Sequence, residues 1–374
     1  MADPQRIACF FATSGHSGVD RVIQNLLPGL AAAGYRVDLL KIQNHGPHIP
    51  RPLPENLRLI KFQAKHVYSA LPELMGYLKK YRPAVLFSDK DRVNRTALLA
   101  NFLTGRRARV ALRSGTTVSL NLASRSRFDR FVQRNSMRYL YGRADAVLMP
   151  SQGAADDFAS YIGLDRARIS VVPSPIVTPK FHELLNQPLD HPWFQPGEPK
   201  VILGVGELCR RKDFTTLIQA FACVAQDYDC RLLILGEGRA RERLEAEIRQ
   251  LHLKDKVAMP GFVDNPYPFM KQAELFVLSS LWEGMAVVLV EALAAGRPVV
   301  STHCLGGSEE LLGGLPGEPL AKPGDVAGLA EAMARQLDNP LPADQLKAAA
   351  APFTLENSVT SYLSAMGLPP LPAE

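Results

Sequence analysis

Short apolar runs, each long enough for one buried strand, recur along this chain with helical spacers between them. "RIACFFA" is followed by "GVDRVIQNLLPGLAAAG", whose apolar residues fall at helical spacing and stop at Gly34, and then by "RVDLLKI". Further runs are "AVLFS", "ARVALRS", "DAVLMPS" and "ISVVPS" in the first half, and "VILGVG", "RLLILGEG", "KVAMPGF", "LFVLSS" and "PVVST" in the second. Strands apolar on both faces must be covered on both faces, and parallel strands need a crossover between them. The pattern therefore predicts an α/β fold of parallel sheets flanked by helices.

Between the halves lies "SPIVTPKFHELLNQPLDHPWFQPGEPK", with Pro175, Pro179, Pro188, Pro192, Pro196 and Pro199. Proline at that density disfavours helix and sheet interiors alike, which puts a domain boundary there. A chain of 374 residues also exceeds one typical core. Two doubly wound, Rossmann-like domains facing a central cleft are expected. The first covers 1–177, a proline-rich linker 178–198, and the second domain 199–350. A last helix and tail over 351–374 would pack back on the first domain. Ligands of such sheets bind at the carboxyl ends of the strands.

Composition narrows the function classes. No apolar run is long enough to cross a bilayer, and the N-terminal stretch runs into a Gly-rich turn without a signal-peptide pattern. The five cysteines are scattered with no CxxC, which disfavours a disulfide or zinc framework and makes a reducing cytoplasm the simplest compartment. The eight histidines form no metal-ligand spacing. A net charge of +6 suits an anionic partner.

The stretch "LWEGMAVVLVEALAAGRPVV" (Leu281–Val300) keeps two carboxylates, Glu283 and Glu291, among small and apolar residues. Glu283 falls in the turn that leaves the strand "AELFVLSS", and a helix is expected from near Met285 to near Gly296. The amides of Gly284, Met285 and Ala286 would then carry the positive end of the helix dipole, an anion site suited to phosphate. Both glutamates can line one side of a pocket. The plainer alternative is an acid that stabilises a helix start and a glutamate on the helix surface. Arg210, Arg211 and Lys212 in "GELCRRKDF" follow the strand Val201–Val205 and can meet an anionic ligand, or form a solvated basic turn. In "TSGHSGVDR", Gly15 and Gly18 allow close approach of backbone to a diphosphate or sugar, or make an ordinary tight turn. "GVGELC" and "LGEGRA" do not complete a dinucleotide fingerprint, so NAD binding is weakly supported.

With these residues in place, "SSLWEGMAVVLVEALAAGRPVVSTHCLGGSEELL" resembles the signature of the retaining, nucleotide-sugar-dependent GT-B glycosyltransferases of the family 4 type, which include bacterial mannosyl-, glucosyl- and N-acetylhexosaminyltransferases. "GHSGVDRVIQNLLPGLAAAGYRVDLL", "YGRADAVLMPSQGAADDF", "VGELCRRKDFTTLIQAF" and "LLILGEGRARERLEAEIRQLHLKDKVAMPGFVDN" extend the likeness over most of the chain.

The resemblance implies that the first domain binds acceptor and the second binds donor. Glu283 would touch the donor's sugar hydroxyls and Glu291 the ribose. Carboxylates suit both tasks because they accept hydrogen bonds from vicinal hydroxyls. Lys212 matches the family's phosphate-binding lysine. Glu207 stands where relatives often carry arginine, so Arg210 or Arg211 would substitute. "PGFVDN", with Phe262 and Val263, matches the loop whose backbone meets the base, and Gly306 with Gly307 matches the loop that approaches the sugar. Many relatives carry a first-domain histidine where this chain has Arg113, Ser114 and Gly115, and nothing in the sequence puts His16 in that role. No cofactor or metal is implied. A UDP-sugar is expected before a GDP-sugar, and a glycan or lipid-linked acceptor in cell-surface polysaccharide or glycolipid synthesis. A non-catalytic sugar-nucleotide or glycan-binding scaffold of the same fold is the alternative from another class.

One stretch stands apart. From Arg106 to Arg143 there are ten arginines and one acid, Asp129, with Phe128, Phe131, Tyr139 and Tyr141 interleaved. A basic, aromatic helix can lie on an anionic membrane or bind a lipid-linked diphosphate, which would place the protein peripherally on the inner face of the cytoplasmic membrane. A solvated helix with an aromatic core face is the alternative. No nucleic-acid motif accompanies the stretch.

Overall fold

The computed structural model describes residues 3–369 apart from 14, 16, 17, 116 and 124. The chain divides into two compact units, Met1–Ile176 with Phe353–Glu374, and Val177–Pro352.

Among the described residues, unit 1 holds seven strands: β1 (Asp3–Phe11), β2 (Arg36–Lys41), β3 (Leu57–Lys61), β4 (Pro83–Asp89), β5 (Arg109–Arg113), β6 (Ala146–Met149) and β7 (Ile169–Val171). They lie in the order β3-β2-β1-β4-β5-β6-β7, and the paired strands are parallel. Alternation along β1 decides its two faces. Ile7, Cys9 and Phe11 enter a core shared with helix Gly18–Ala32 and the C-terminal helix Leu355–Ala365, while Ala8 and Phe10 pack on helices Leu71–Tyr81 and Asp91–Leu103. Each large side chain buried this way stabilises the fold by about 1.5–3 kcal/mol. β3 was not among the predicted strands. Its alternating "LRLIK" is the signal that could have found it, as befits an edge strand with one polar face.

The helix starts are chemically marked. Ser126, Ser151, Thr178, Asp325 and Thr354 each accept a hydrogen bond from a first-turn amide through the side-chain oxygen. Gly29 lets helix Gly18–Ala32 approach the C-terminal helix closely: a Cβ there would stand 2.7 Å from Val359 Cγ2.

A buried polar pin holds the same helix. Arg113, at the carboxyl end of β5 and only 3% exposed, pairs with Asp89 of β4 at 2.6 Å. It also donates to the Tyr362 hydroxyl at 2.9 Å and to Ser174 Oγ at 3.2 Å. Asn94 donates to the Arg113 carbonyl and to the Tyr141 hydroxyl, both at 2.9 Å.

Unit 2 holds β8 (Lys200–Val205), β9 (Cys230–Leu235), β10 (Val257–Gly261), β11 (Leu275–Leu278), β12 (Val299–Thr302) and the two-residue β13 (Leu320–Ala321), in the order β10-β9-β8-β11-β12-β13 with parallel pairs. One core cluster joins Ile202, Leu232 and Val277 to helices Phe214–Asp227 and Val326–Asp338. The proline-rich residues 178–198 group with this unit and include helix Pro179–Leu185, whose Pro179 sits in the first turn, where its missing N–H costs nothing. Strand order reverses between β8 and β11, which makes the carboxyl ends of these two strands the topological switch point of the sheet.

Removing one partner of the buried pin should be costly. Arg113→Met leaves the Asp89 carboxylate buried beside an apolar side chain and should destabilise the protein by about 3–5 kcal/mol in denaturant unfolding. The double change with Asp89→Leu should recover most of that loss. Equal losses in the single and double variants would show that the pin is not a coupled pair.

Candidate active site

Three loops meet at the carboxyl ends of β8, β11 and β12. The Leu281 amide donates to the Arg211 carbonyl at 2.8 Å and Ser279 Oγ to the Lys212 carbonyl at 2.8 Å, which ties the β11 loop to the β8 loop. The Glu283 amide donates to the Leu305 carbonyl at 2.9 Å, and Thr302 Oγ1 donates to the Ser280 carbonyl, which ties it to the β12 loop. Gly306 has φ +109°, and a Cβ there would fall 1.7 Å from the Glu283 carbonyl oxygen, so only glycine fits against this turn.

Glu283 is the centre of the arrangement and is 5% exposed. One carboxylate oxygen takes Lys212 Nζ at 2.8 Å and Ser280 Oγ at 2.8 Å, and the other takes the Arg211 guanidinium. Burial by itself would raise its pKa, but the charges of Lys212 and then Arg211, with hydrogen bonds from Lys212 and Ser280, hold it below the usual carboxylate value. Two cations around one carboxylate leave a net positive charge. The Lys212 side chain is 8% exposed and that of Arg211 30%, so Arg211 is the more accessible of the two.

The other candidates are placed as follows. Gly284, Met285 and Ala286 follow Glu283 as irregular buried backbone, and the helix begins at Val287, later than predicted. Ala286 at ψ 74° is outside helical geometry, which accounts for the delay. The helix ends at Ala294, and Gly296 is left-handed just beyond it. Glu291 is fully buried rather than a helix-surface residue, and the Tyr267 hydroxyl donates to it at 3.0 Å. Among the described residues, Arg210 is exposed and takes no part in the ion pairs around Glu283. Glu207 is exposed too. Phe262, 65% exposed, and half-buried Val263 follow β10, at the edge of the sheet.

Gly15 and Gly18 belong to unit 1. His16 lies outside the described residues. Arg113, from the stretch where the resemblance led us to look for a histidine, is committed to the internal pin. Sequence reasoning missed Ser280 and Tyr267. The serine pair at the end of β11 was a usable signal, whereas nothing in "NPYPF" marked Tyr267. Among the described residues no group of three or more His, Cys, Asp or Glu stands where it could hold a metal ion.

Comparison with known proteins places the chain in a family. Residues 17–175 match the family described as glycosyl transferase 4-like domain, and residues 188–352 match glycosyl transferases group 1. The chain belongs to the GT-B glycosyltransferases of the family 4 type.

The glycosyltransferase is 29% identical to the N-acetylgalactosamine-N,N'-diacetylbacillosaminyl-diphospho-undecaprenol 4-alpha-N-acetylgalactosaminyltransferase of Campylobacter jejuni, over 83% of this chain and 84% of that one. It is 32% identical to the lipopolysaccharide core biosynthesis glycosyltransferase LpsD of Rhizobium meliloti, over 41% of this chain and 43% of that one. Its fold matches that of the lipopolysaccharide outer core galactosyltransferase WaaB, with TM-score 0.74 and 19% identity over 97% of this chain and 99% of that one. Anabaena HepE, solved in complex with UDP, gives TM-score 0.76 and 17% identity over the same shares.

The lowered pKa of Glu283 has a signed consequence for the glycosyltransferase. Its contribution to stability is fully present above the unfolded glutamate value near about 4.3 and is lost as pH falls through the lower folded value. Glu283→Gln should therefore be less stable than wild type at neutral pH, and the gap should close in acid. Chemical unfolding followed between about pH 7 and about pH 3 reads this directly, and a pH-independent gap would contradict it.

Proposed function

We propose that this glycosyltransferase moves a hexosyl or N-acetylhexosaminyl group from a nucleotide-diphosphate sugar, a UDP-sugar before a GDP-sugar, to a glycan or lipid-linked acceptor in cell-surface polysaccharide or glycolipid synthesis. The observation that carries this reading is the Lys212–Glu283–Arg211 cluster at the switch point of the unit 2 sheet. The undecaprenol diphosphate in the Campylobacter relative's name and the UDP in the HepE structure support it.

In this reading Lys212 and Arg211 meet the diphosphate, and Arg211 supplies the cation that relatives carry where this chain has Glu207. Arg210 is accessible to add to them. Backbone at Gly284, Met285 and Ala286, and at Gly15 and Gly18, comes close to phosphate or sugar. Glu283 accepts from sugar hydroxyls, Glu291 from the ribose, and the loop at Phe262 and Val263 meets the base. Charge grows on the diphosphate as the bond to the sugar breaks, and fixed cations lower that barrier without reorganising. The acceptor attacks from the face the diphosphate leaves, a phosphate oxygen takes its proton, and the sugar keeps its anomeric configuration. No metal ion or cofactor is invoked.

The finer reading places the protein on the cytoplasmic face of an anionic membrane. Helix Arg127–Tyr141 shows Phe128 75% exposed, Phe131 66% and Tyr139 63%, beside a row of Arg127, Arg130, Arg134 and Arg138 at i, i+3, i+7 and i+11. Leu99, Phe102 and Leu103 of the neighbouring helix Asp91–Leu103 are exposed as well. Tyr141 departs from the expected aromatic surface, being buried in the core. Exposed rings flanked by arginines fit an interfacial helix. No helix of the described residues is long and apolar enough to cross a membrane.

Two experiments test these assignments. Glu283→Gln should abolish most sugar transfer while calorimetry shows near wild-type binding of the bare nucleoside diphosphate. Glu291→Ala should weaken that binding by about 1–3 kcal/mol, the cost of losing charged hydrogen bonds. Wild-type transfer by Glu283→Gln would remove the sugar role, and unchanged nucleotide affinity in folded Glu291→Ala would remove the ribose role.

For the membrane, replacing Arg127, Arg130 and Arg134 with glutamate should weaken sedimentation with phosphatidylserine-containing vesicles in a salt-sensitive way, since each cation near such a surface contributes about 1 kcal/mol. Phe128→Ser with Phe131→Ser should weaken it at any salt. If the wild type ignores these vesicles at low salt, the membrane reading fails.

A further inference from the structure

Unit 1 contains a cavity of about 470 Å³ that no step of the proposed reaction uses. It runs along one face of β2 and β3 to their carboxyl ends, beneath the segment 43–53. Its volume is that of a small-ligand site. Leu39, Leu57 and Leu59 of the two strands give it an apolar floor. Lys41, Lys61 and Arg51 give it a cationic rim, and the imidazoles of His45 and His48 join them. No carboxylate lines it among the described residues, and the sequence has no acid between Asp38 and Glu55.

The buried rim lysine is poorly compensated. Lys41 is 9% exposed, and its ammonium donates to the Pro47 carbonyl at 3.2 Å. Burial first, and then repulsion from Lys61, push its pKa down, while Asp20 opposes this. Asp20 does not line the cavity and accepts from Thr13 Oγ1. Cations that line a half-apolar cavity favour a ligand that brings negative charge to them and hydrocarbon to the floor. Three cations on the lining, one of them buried, suit more than one negative charge, which a single carboxylate does not supply.

We propose that this cavity is an anion site for a phosphate or diphosphate group carried on an apolar chain, with Lys41, Lys61 and Arg51 on the anion and the leucine floor under the chain. A lipid-linked diphosphate and a free diphosphate both offer the anion, and only the first also covers the leucine floor. The inference rests on the functional reading only in making the first a natural candidate.

The site also has a structural route to the Gly-rich loop. Thr13 and Gly46 exchange backbone hydrogen bonds at 3.2 and 2.9 Å, and the His48 ring lies against Gly15.

The test uses the full chain, with calorimetry of farnesyl diphosphate and inorganic pyrophosphate, each with and without saturating UDP. Farnesyl diphosphate should bind with UDP present, and pyrophosphate about tenfold more weakly or worse, because it leaves the floor uncovered. Lys61→Glu with Arg51→Glu, both at exposed positions, should weaken both ligands by at least about tenfold and leave UDP affinity unchanged. Leu59→Gln should weaken farnesyl diphosphate alone. Thermal melts establish that each variant is folded.

The proposal is overturned if wild type with UDP bound takes up neither probe, if UDP displaces both, if the charge-reversed variant binds as wild type, or if the two probes bind equally. Intact probe binding in a protein that transfers no sugar from any nucleotide sugar would sink the functional reading and leave this site standing.

Discussion

A buried carboxylate held between two cations organises the carboxyl-terminal edge of the unit 2 sheet. Lys212 and Arg211 offset the burial of Glu283, which is 5% exposed, and hold its pKa below the usual carboxylate value. The contacts that bring them together are mostly backbone: a Leu281 amide on the Arg211 carbonyl, a Ser279 hydroxyl on the Lys212 carbonyl, and a Glu283 amide on the Leu305 carbonyl. Three strand ends thus position a charged cluster at the point where strand order reverses, the place where an open parallel sheet leaves room for a ligand.

Unit 1 uses the same chemistry for a different purpose. Arg113 and Asp89 also form a buried pair at strand ends, but Tyr362 and Ser174 take up further guanidinium donors. Arg113 therefore fastens the C-terminal helix to the sheet. Arg211 also pairs with a buried carboxylate, but its side chain is 30% exposed. Residue type does not separate these two arginines. Their partners and exposure do.

Surface and interior divide within one helix in a similar way. Helix Arg127–Tyr141 sends Met137 and Tyr141 into the core and leaves Phe128, Phe131 and Tyr139 outside. The cavity under 43–53 arises because Lys41 and Lys61, at the ends of β2 and β3, emerge beside the leucines of the same strands. Both features put cations next to apolar surface, the combination that suits amphiphilic anions.

The sequence by itself determined the α/β class and the family. Buried parallel strands must be nearly continuous apolar runs, and crossover helices must be amphipathic, so both leave marks that survive without coordinates. It also determined that Glu283, Arg211 and Lys212 fall at strand ends, because the runs before them stop there. Tertiary structure decided the rest. Only folding could show that Glu291 is wholly buried against Tyr267, that Arg210 is left outside while its neighbours pair, and that the helix waits until Val287 to begin. It alone could show that Arg113 meets Tyr362, a residue 249 positions away. Such pairings depend on which strands lie side by side and on how their loops pack. Local periodicity records neither, because it reports the environment of a residue and not the identity of its neighbour.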